Sequence, residues 1–232
     1  MHKGVLYIVG TPIGNLGDIT YRAVEVLKSV DFVLAEDTRV TKRLLDHYGV
    51  ATQIISYPAD DRKDKIEKFI ELLKNGKNLA LVTDAGTPGI SDPGAVLVRE
   101  IRNLEVRPPS EGKIEIVPIP GPSALPAALS AAGILETEFV FLGFLPHKKG
   151  RETIFKEIDK SKRTVVFYES PHRIVKTLEA LVKFAPNKKM IIARELTKIY
   201  EEFVEGNAEE LLAYFEKNRE KIRGEFVVII SS

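Results

Sequence analysis

Short apolar or β-branched runs punctuate the first half of the chain, at Val5 to Val9, Phe32 to Ala35, Gln53 to Ser56, Leu79 to Val82 and Ile114 to Val117. Stretches with helical patterning lie between them. That alternation predicts parallel strands joined by helical crossovers. From Lys65 to Lys74 the apolar Ile66, Phe69, Ile70 and Leu73 recur at helical spacing with charges between them, which is an amphipathic helix packed on a sheet. Further runs follow at Phe139 to Phe144, Thr164 to Tyr168, Met190 to Ala193, Tyr200 to Val204 and Phe226 to Ile230. The late runs are closely spaced, so the second sheet is expected to be partly antiparallel. Pro118, Pro120 and Pro122 remove backbone donors and bias their neighbours away from helix. They mark a hinge, with a parallel-sheet α/β lobe expected over residues 1–117 and a mixed-sheet α/β lobe over 118–232. Ala124 to Ala132 reads as a small-residue helix after the hinge, and Arg107 to Gly112 as an exposed loop.

Composition narrows the chemistry. The chain has 232 residues, and its 44% apolar content can bury one sizeable core or two modest ones. There is no cysteine, so disulfides, thiolate zinc sites and cysteine nucleophiles are excluded. Four histidines make a weak case for a metal, and none is expected. The 34 basic and 33 acidic side chains leave a net charge of +1, too little for the whole molecule to attract a polyanion. Any nucleic-acid contact must come from local patches. The first apolar run is too short for a signal segment and no run reaches membrane-spanning length, so a soluble cytoplasmic protein with no membrane partner is expected.

Three loops rich in glycine and proline follow predicted strands. Gly10 to Thr20 carries glycines that let backbone approach a ligand closely; it has neither a Walker lysine nor a dinucleotide fingerprint. Its plainer reading is a turn into a helix capped by Asp18 or Thr20. Thr83 to Gly94 is denser still in small residues, and ordering it costs more backbone entropy than a simple turn requires. In Pro120 to Ala124, Ser123 either caps a helix or offers its hydroxyl to a cleft. Loops at the carboxyl ends of parallel strands form the usual ligand crevice of such sheets.

The strings GTPIGNLGDIT, AEDTR, DAGTPGISDPG, PIPGPSA, GFLPHKKG, FYESPHR, ARELTK and GEFV occur in this order between residues 10 and 227. Together they resemble the successive signatures of the ribosomal RNA small subunit methyltransferase I family, which is similar to the tetrapyrrole methylases (class III methyltransferases). The resemblance implies two α/β lobes, S-adenosylmethionine bound between them, a homodimer, and methylation of a cytidine ribose 2′-oxygen in the decoding region of 16S rRNA, as naked RNA or in the small subunit. Carried over by motif, it implies cofactor contacts at Pro12, Ile13, Ala85, Gly86, Thr87, Ile90, Ser123 and Ala124, with Tyr168 and the backbone near Leu196 added from the later motifs. The loop Arg107 to Gly112 is longer than the resemblance leads one to expect. The segment Tyr57 to Asp61 lacks a His-Glu-His-Asn-like run, and the chain ends without the C-terminal helical extension of some members. These departures bear on RNA engagement.

A ribose hydroxyl needs a base before it is a competent nucleophile. Glu36, Asp37 and Arg39 follow the second predicted strand and are catalytic candidates; a helix start with Asp37 or Thr38 as cap explains them equally well. Glu169, His172, Arg194 and Glu195 are further candidates, each open to the alternative of a structural ion pair or, for His172, an ordinary surface position. The RNA-facing candidates are Arg39, Lys42 and Arg43 on one helix, Lys148, Lys149 and Arg151 in the His147 to Arg151 stretch, and Arg173. Lys160 to Arg163 reads as a solvated basic face. Three other functions remain in view: a small-molecule methylase of the same fold, which would want an apolar trough; an RNA-binding assembly factor without catalysis; and a phosphate-binding hydrolase, which lacks its lysine and metal ligands.

Overall fold

The computed structural model describes residues 3–57, 63–105 and 113–232. The loop Arg107 to Gly112, and the Tyr57 to Asp61 segment apart from Tyr57 itself, lie outside the described residues. The chain divides into two compact units, Met1–Ser123 and Ala124–Ser232.

In the first unit five parallel strands, β1 (Val5–Val9), β2 (Phe32–Ala35), β3 (Gln53–Ser56), β4 (Leu79–Leu81) and β5 (Glu115–Ile119), lie in the order β3-β2-β4-β1-β5. The alternation of side chains along each strand sorts the core onto two faces. Leu6, Leu34, Leu79 and Leu81 pack with Ile66, Phe69 and Leu73 of α3 (Lys63–Lys74) and Leu97 and Ile101 of α4 (Ala95–Glu105). Val9, Val33, Ala35 and Ala80 pack with Ala23 and Leu27 of α1 (Tyr21–Ser29) and Leu45 of α2 (Thr38–His47). Helices thus cover both faces, as an all-parallel sheet requires. Thr20 caps α1 by accepting from the Ala23 N–H at 3.1 Å, and Asp37 caps α2 by accepting from the Arg39 N–H at 2.8 Å.

The division expected at 117/118 falls inside β5. Residues 115–119 pair in unbroken register with β1, Pro118 opposite Ile8 and Ile119 opposite Val9. A proline is compatible with this strand because β5 is at the sheet's edge, where a missing N–H leaves no neighbour unpaired.

In the second unit the strands are β6 (Phe139–Phe144), β7 (Thr164–Glu169), β8 (Met190–Arg194), β9 (Glu202–Gly206) and β10 (Phe226–Ile230), in the order β6-β7-β10-β8-β9. β6 and β7 are parallel, while β10 runs antiparallel to both β7 and β8, and β9 antiparallel to β8. The sheet is mixed, as its closely spaced runs predicted. One face is covered by α6 (Arg151–Lys160), α7 (Ile174–Phe184) and α8 (Ala208–Lys217), whose Phe155, Leu178, Leu181, Leu211 and Phe215 pack on Val165, Phe167, Ile192, Phe226 and Val228. The remaining helix, α5 (Ala124–Ala131), lies against β10. No helix among the described residues is long and apolar enough to cross a membrane.

A polar network locks the turn between β8 and β9. Arg194 is only 5% exposed and its Nε lies 2.7 Å from Glu202 Oε2, while Lys221 Nζ at 2.6 Å and the Tyr214 hydroxyl at 2.5 Å donate to Glu202 Oε1. Burial by itself would raise the Glu202 carboxyl, but those hydrogen bonds outweigh it and hold the pKa at about 2, against an ordinary 4.5. A folded-state value below the unfolded one contributes stability that is complete above 4.5 and disappears as pH falls toward 2. Glu202→Gln should therefore cost on the order of 2 kcal/mol at neutral pH. Measured by urea unfolding, the gap from the unsubstituted protein should close as the solution is acidified through that window; a gap independent of pH would contradict this account.

Candidate functional site

In the first unit the loops leaving the carboxyl ends of β1, β4 and β5 are fused. Thr11 N donates to Gly86 O at 2.9 Å and Gly86 N returns a bond to Thr11 O at 3.1 Å, so the first and second loops are joined by a two-residue bridge. The Thr11 side chain is buried, and its hydroxyl lies 3.1 Å from Thr83 O. On the other side Gly10 N donates to Ile119 O at 3.2 Å. A Cβ on Gly10 would stand 2.8 Å from the Gly121 Cα, and one on Gly121 would stand 2.9 Å from Gly10 O, so both positions require glycine. Thr87 Oγ1 then ties the second loop to the third by donating to Pro122 O at 3.1 Å.

The expected cofactor residues of this unit come together on that frame. Pro12 and Ile13 are buried within the first loop. Gly86 has φ +86°, and a Cβ there would meet Ile13 Cγ2 at 3.3 Å and Pro122 O at 3.7 Å. The space a side chain would occupy is therefore a small cradle between Ile13, Pro122 and Ser123. Ala85 and Ile90 of the second loop are exposed, while Thr87 and Ser123 are half-buried. Asp92, whose role the sequence did not suggest, shapes the far side of the loop: its Oδ1 accepts from Gly89 N at 2.9 Å and from Gly94 N at 2.6 Å.

β2 delivers Glu36 and Asp37 to the same strand-end rim. Asp37 N donates to Asp84 Oδ1 at 3.2 Å, which ties the AEDTR stretch to the second loop. Asp37 itself is taken up structurally, since it caps α2 and binds the Arg39 guanidinium through Nε at 3.1 Å and Nη2 at 2.7 Å. The bonds from Arg39 hold its carboxyl well below the usual carboxylate range. Glu36 behaves oppositely, because partial burial, and after it the negative charges of Asp84 and Asp92, push its carboxyl upward. The two adjacent acids are thus shifted in opposite directions by their surroundings. Among the described residues these acids do not gather into a three-ligand metal group. Arg39 and Lys42 are exposed on α2, Lys42 in an i,i+4 pair with Asp46, and Arg43 is exposed as well.

In the second unit the neighbours Tyr168 and Glu169 part company. Successive residues of a strand face opposite sides of the sheet. Tyr168 points away from the α6–α8 layer, where its ring meets Phe141 and Phe144 edge-on and its hydroxyl accepts from Leu125 N at 3.1 Å, at the start of α5 beside Ala124. Glu169 points into that layer and is 1% exposed. It is engaged by Arg151 Nη2 at 3.2 Å, Arg173 Nε at 3.2 Å and Thr177 Oγ1 at 2.6 Å. Glu169, a catalytic candidate in the sequence, is thus the centre of a buried ion-pair cluster, one of the two alternatives that the sequence left open. The Arg151 and Arg173 side chains, expected to face RNA, are 15% exposed and turned onto that carboxylate. Lys148 and Lys149 are exposed in the loop beside them, with His147, and His172 is exposed at its turn. Thr177 lies on α7, where no sequence motif announced it.

Leu196, buried, sits between two residues in the left-handed region, Glu195 at φ 50° and Thr197 at φ 65°. Such backbone costs energy for residues other than glycine and persists only where its surroundings hold it. Here Lys198 Nζ binds Glu195 Oε1 at 2.8 Å and Glu225 Oε2 at 3.2 Å, and Arg194 is anchored to Glu202. Arg194 and Glu195 are thus in structural pairs, one of the two alternatives that the sequence left open.

Comparison with known proteins agrees with this construction. The family of Tetrapyrrole (Corrin/Porphyrin) Methylases matches residues 5–212. The chain is 45% identical over 230 residues to ribosomal RNA small subunit methyltransferase I of Synechocystis sp., covering 98% of this chain and 79% of that protein. It is 44% identical over 228 residues to the protein of the same name from Thermotoga maritima, covering 98% of both. Among solved structures it shares the fold of the methyltransferase CobJ, at 19% identity and TM-score 0.68, covering 99% of this chain and 94% of that one. The native form of uroporphyrin III C-methyl transferase from Thermus thermophilus gives 15% identity and TM-score 0.66, covering 99% and 98%. With a parallel first sheet, a mixed second sheet and this similarity along nearly its whole length, the chain belongs to the tetrapyrrole methylase family, in its ribosomal RNA small subunit methyltransferase I branch.

Proposed function

We propose that this chain is an S-adenosylmethionine-dependent methyltransferase that modifies a cytidine ribose 2′-oxygen in the decoding region of 16S rRNA, acting in the cytoplasm as a homodimer on the RNA or the small subunit. The observation that carries the reading is the fused frame of three loops with a cradle at Gly86 that a Cβ would fill. Ile13, Pro122 and Ser123 bound that cradle, and Pro12, Ala85, Thr87 and Ile90 of the same loops keep the cofactor contacts that the family resemblance implies. Ala124, Tyr168 and Leu196 keep the roles that the family resemblance gives them. The bound cofactor supplies an already electrophilic methyl group, so the protein's own work is alignment, exclusion of water and removal of the hydroxyl proton.

Glu36 is the base this reading favours. Its upward shift brings it nearer neutrality, where a carboxylate is a stronger proton acceptor. Asp37 is held too acidic by Arg39 and serves to position α2. RNA is met by Lys148 and Lys149, with Arg39, Lys42 and Arg43 as a second patch; Arg151 and Arg173 act from beneath.

A paired comparison tests the site. Gly86→Val, which fills the cradle at a left-handed position, should abolish cofactor binding measured by calorimetry on the folded protein. Glu36→Gln should leave that affinity intact while lowering turnover by a factor of about 10² to 10⁴. The unsubstituted enzyme should lose activity on acidification through a midpoint above 4.5, the ordinary carboxyl value, and the variant's residual activity should lack that limb. Unchanged cofactor affinity in Gly86→Val would rule out the placement. For the RNA contact, Lys148→Ala and Lys149→Ala should each lower the salt slope of RNA binding by about 0.7 to 0.9, whereas Lys160→Ala and Lys162→Ala on the solvated face should not. Equal slopes in the two pairs would remove the loop from the interface. As to assembly, sedimentation equilibrium at micromolar concentration should give the mass of a dimer, and a monomer throughout would contradict it.

A further inference from the structure

We propose that Glu169 is a positioning residue which sets the loop bearing Lys148 and Lys149 for RNA, and that it acts through Arg151 and Arg173. The inference rests on the reading of that loop as an RNA contact. Each guanidinium is shared between the Glu169 carboxylate and the loop's own backbone. Arg151 reaches Glu169 Oε2 through Nη2 at 3.2 Å and donates through Nη1 to Pro146 O at 3.1 Å. Arg173 reaches Glu169 Oε1 through Nε at 3.2 Å and donates through Nη2 to Leu145 O at 2.6 Å. The two carbonyls immediately before His147, Lys148 and Lys149 are therefore pinned by cations whose common counter-charge is Glu169.

The carboxylate has no capacity left for a substrate. Besides the two guanidiniums, Oε1 accepts from Ser170 N at 2.9 Å and Oε2 from the Thr177 hydroxyl at 2.6 Å, and the Thr177 hydroxyl accepts in turn from Arg151. A ribose hydroxyl would have no route to a side chain that is 1% exposed beneath α6 and α7. Removing its charge would leave two guanidiniums side by side in a poorly solvated layer, and their repulsion would act directly on the carbonyls they hold. A buried ionic centre of this kind is weak evidence for stability, and its best-supported use is to select one arrangement among several. Here the arrangement selected is the path of residues 145–150. Fixing that path removes part of the ordering cost that two flexible lysines would otherwise meet on binding phosphate.

The test is Glu169→Gln in the full-length protein, read against Lys148→Ala/Lys149→Ala and the triple variant, with small ribosomal subunits as substrate. The Michaelis constant for the subunit should rise about tenfold while kcat and calorimetric cofactor affinity stay within about threefold. Since Glu169 acts through the lysines, adding Glu169→Gln to the lysine-less protein should change the Michaelis constant by less than about twofold. A fall in kcat of about a hundredfold or more at constant Michaelis constant would make Glu169 a base and overturn the proposal. So would an undiminished tenfold effect in the lysine-less background. If Lys148→Ala/Lys149→Ala alone leaves subunit binding unchanged, the underlying reading of the loop fails and the proposal falls with it, a pattern distinct from the other two. Should Glu169→Gln not fold, Thr177→Val keeps the charges and removes one bond to the carboxylate. It should raise the Michaelis constant about threefold with kcat preserved, and no rise in that folded variant would equally overturn the proposal.

Discussion

The contact between Gly10 and Gly121 is the constraint on which the first unit's chemistry depends. Each backbone occupies the volume where the other residue's Cβ would stand, so the loops after β1 and β5 can approach only because both residues are glycine. With those loops in contact, Thr11 can bridge to Gly86 and Thr87 can reach Pro122. The first loop is joined to the second and to the end of β5 by main-chain bonds, and the second to the third by the Thr87 hydroxyl. A rigid frame of this kind suits methyl transfer, where alignment rather than bond activation is the protein's main contribution.

The second unit meets the same need with charge. Under the loops at the carboxyl ends of β7 and β8 lie two ionic centres, one around Glu169 and one around Glu202, each a carboxylate satisfied by two cations and a hydroxyl. In each case the cations also reach backbone carbonyls, of Leu145 and Pro146 in the first and Lys221 in the second. In both centres a carboxylate and the backbone are held through shared cations, whereas Glu36 stands exposed at its rim.

Much of the architecture was legible in the sequence because hydrophobic period reports burial directly. β1, β2, β3, β6 and β10 coincide with their apolar runs, and the crossover helices follow from 3.6-residue spacing. The lobe boundary was harder, since proline signals a break in most contexts and only its place at a sheet edge reverses that meaning. The candidate site divided in the same way. Residues whose role is to leave space, such as Gly86 and Gly121, announce themselves locally in Gly/Pro-rich loops. Residues whose role depends on which way a strand's side chains point do not: Tyr168 and Glu169 are adjacent in sequence and on opposite faces in space. Thr177, eight positions beyond Glu169 and one helix away, carried no local signal at all.

Pro118 has a consequence beyond the placement of a boundary. Among the described residues β5 pairs only with β1, and an edge strand is the kind of border to which an extended segment of another chain can add. A proline within the strand withholds one donor from the ladder such a segment would need, and Pro120 just beyond it withholds another. Continuation of the sheet into a neighbouring molecule is thereby penalised at this border. The residues that mimic a hinge in the sequence act in the folded chain as a guard against aggregation.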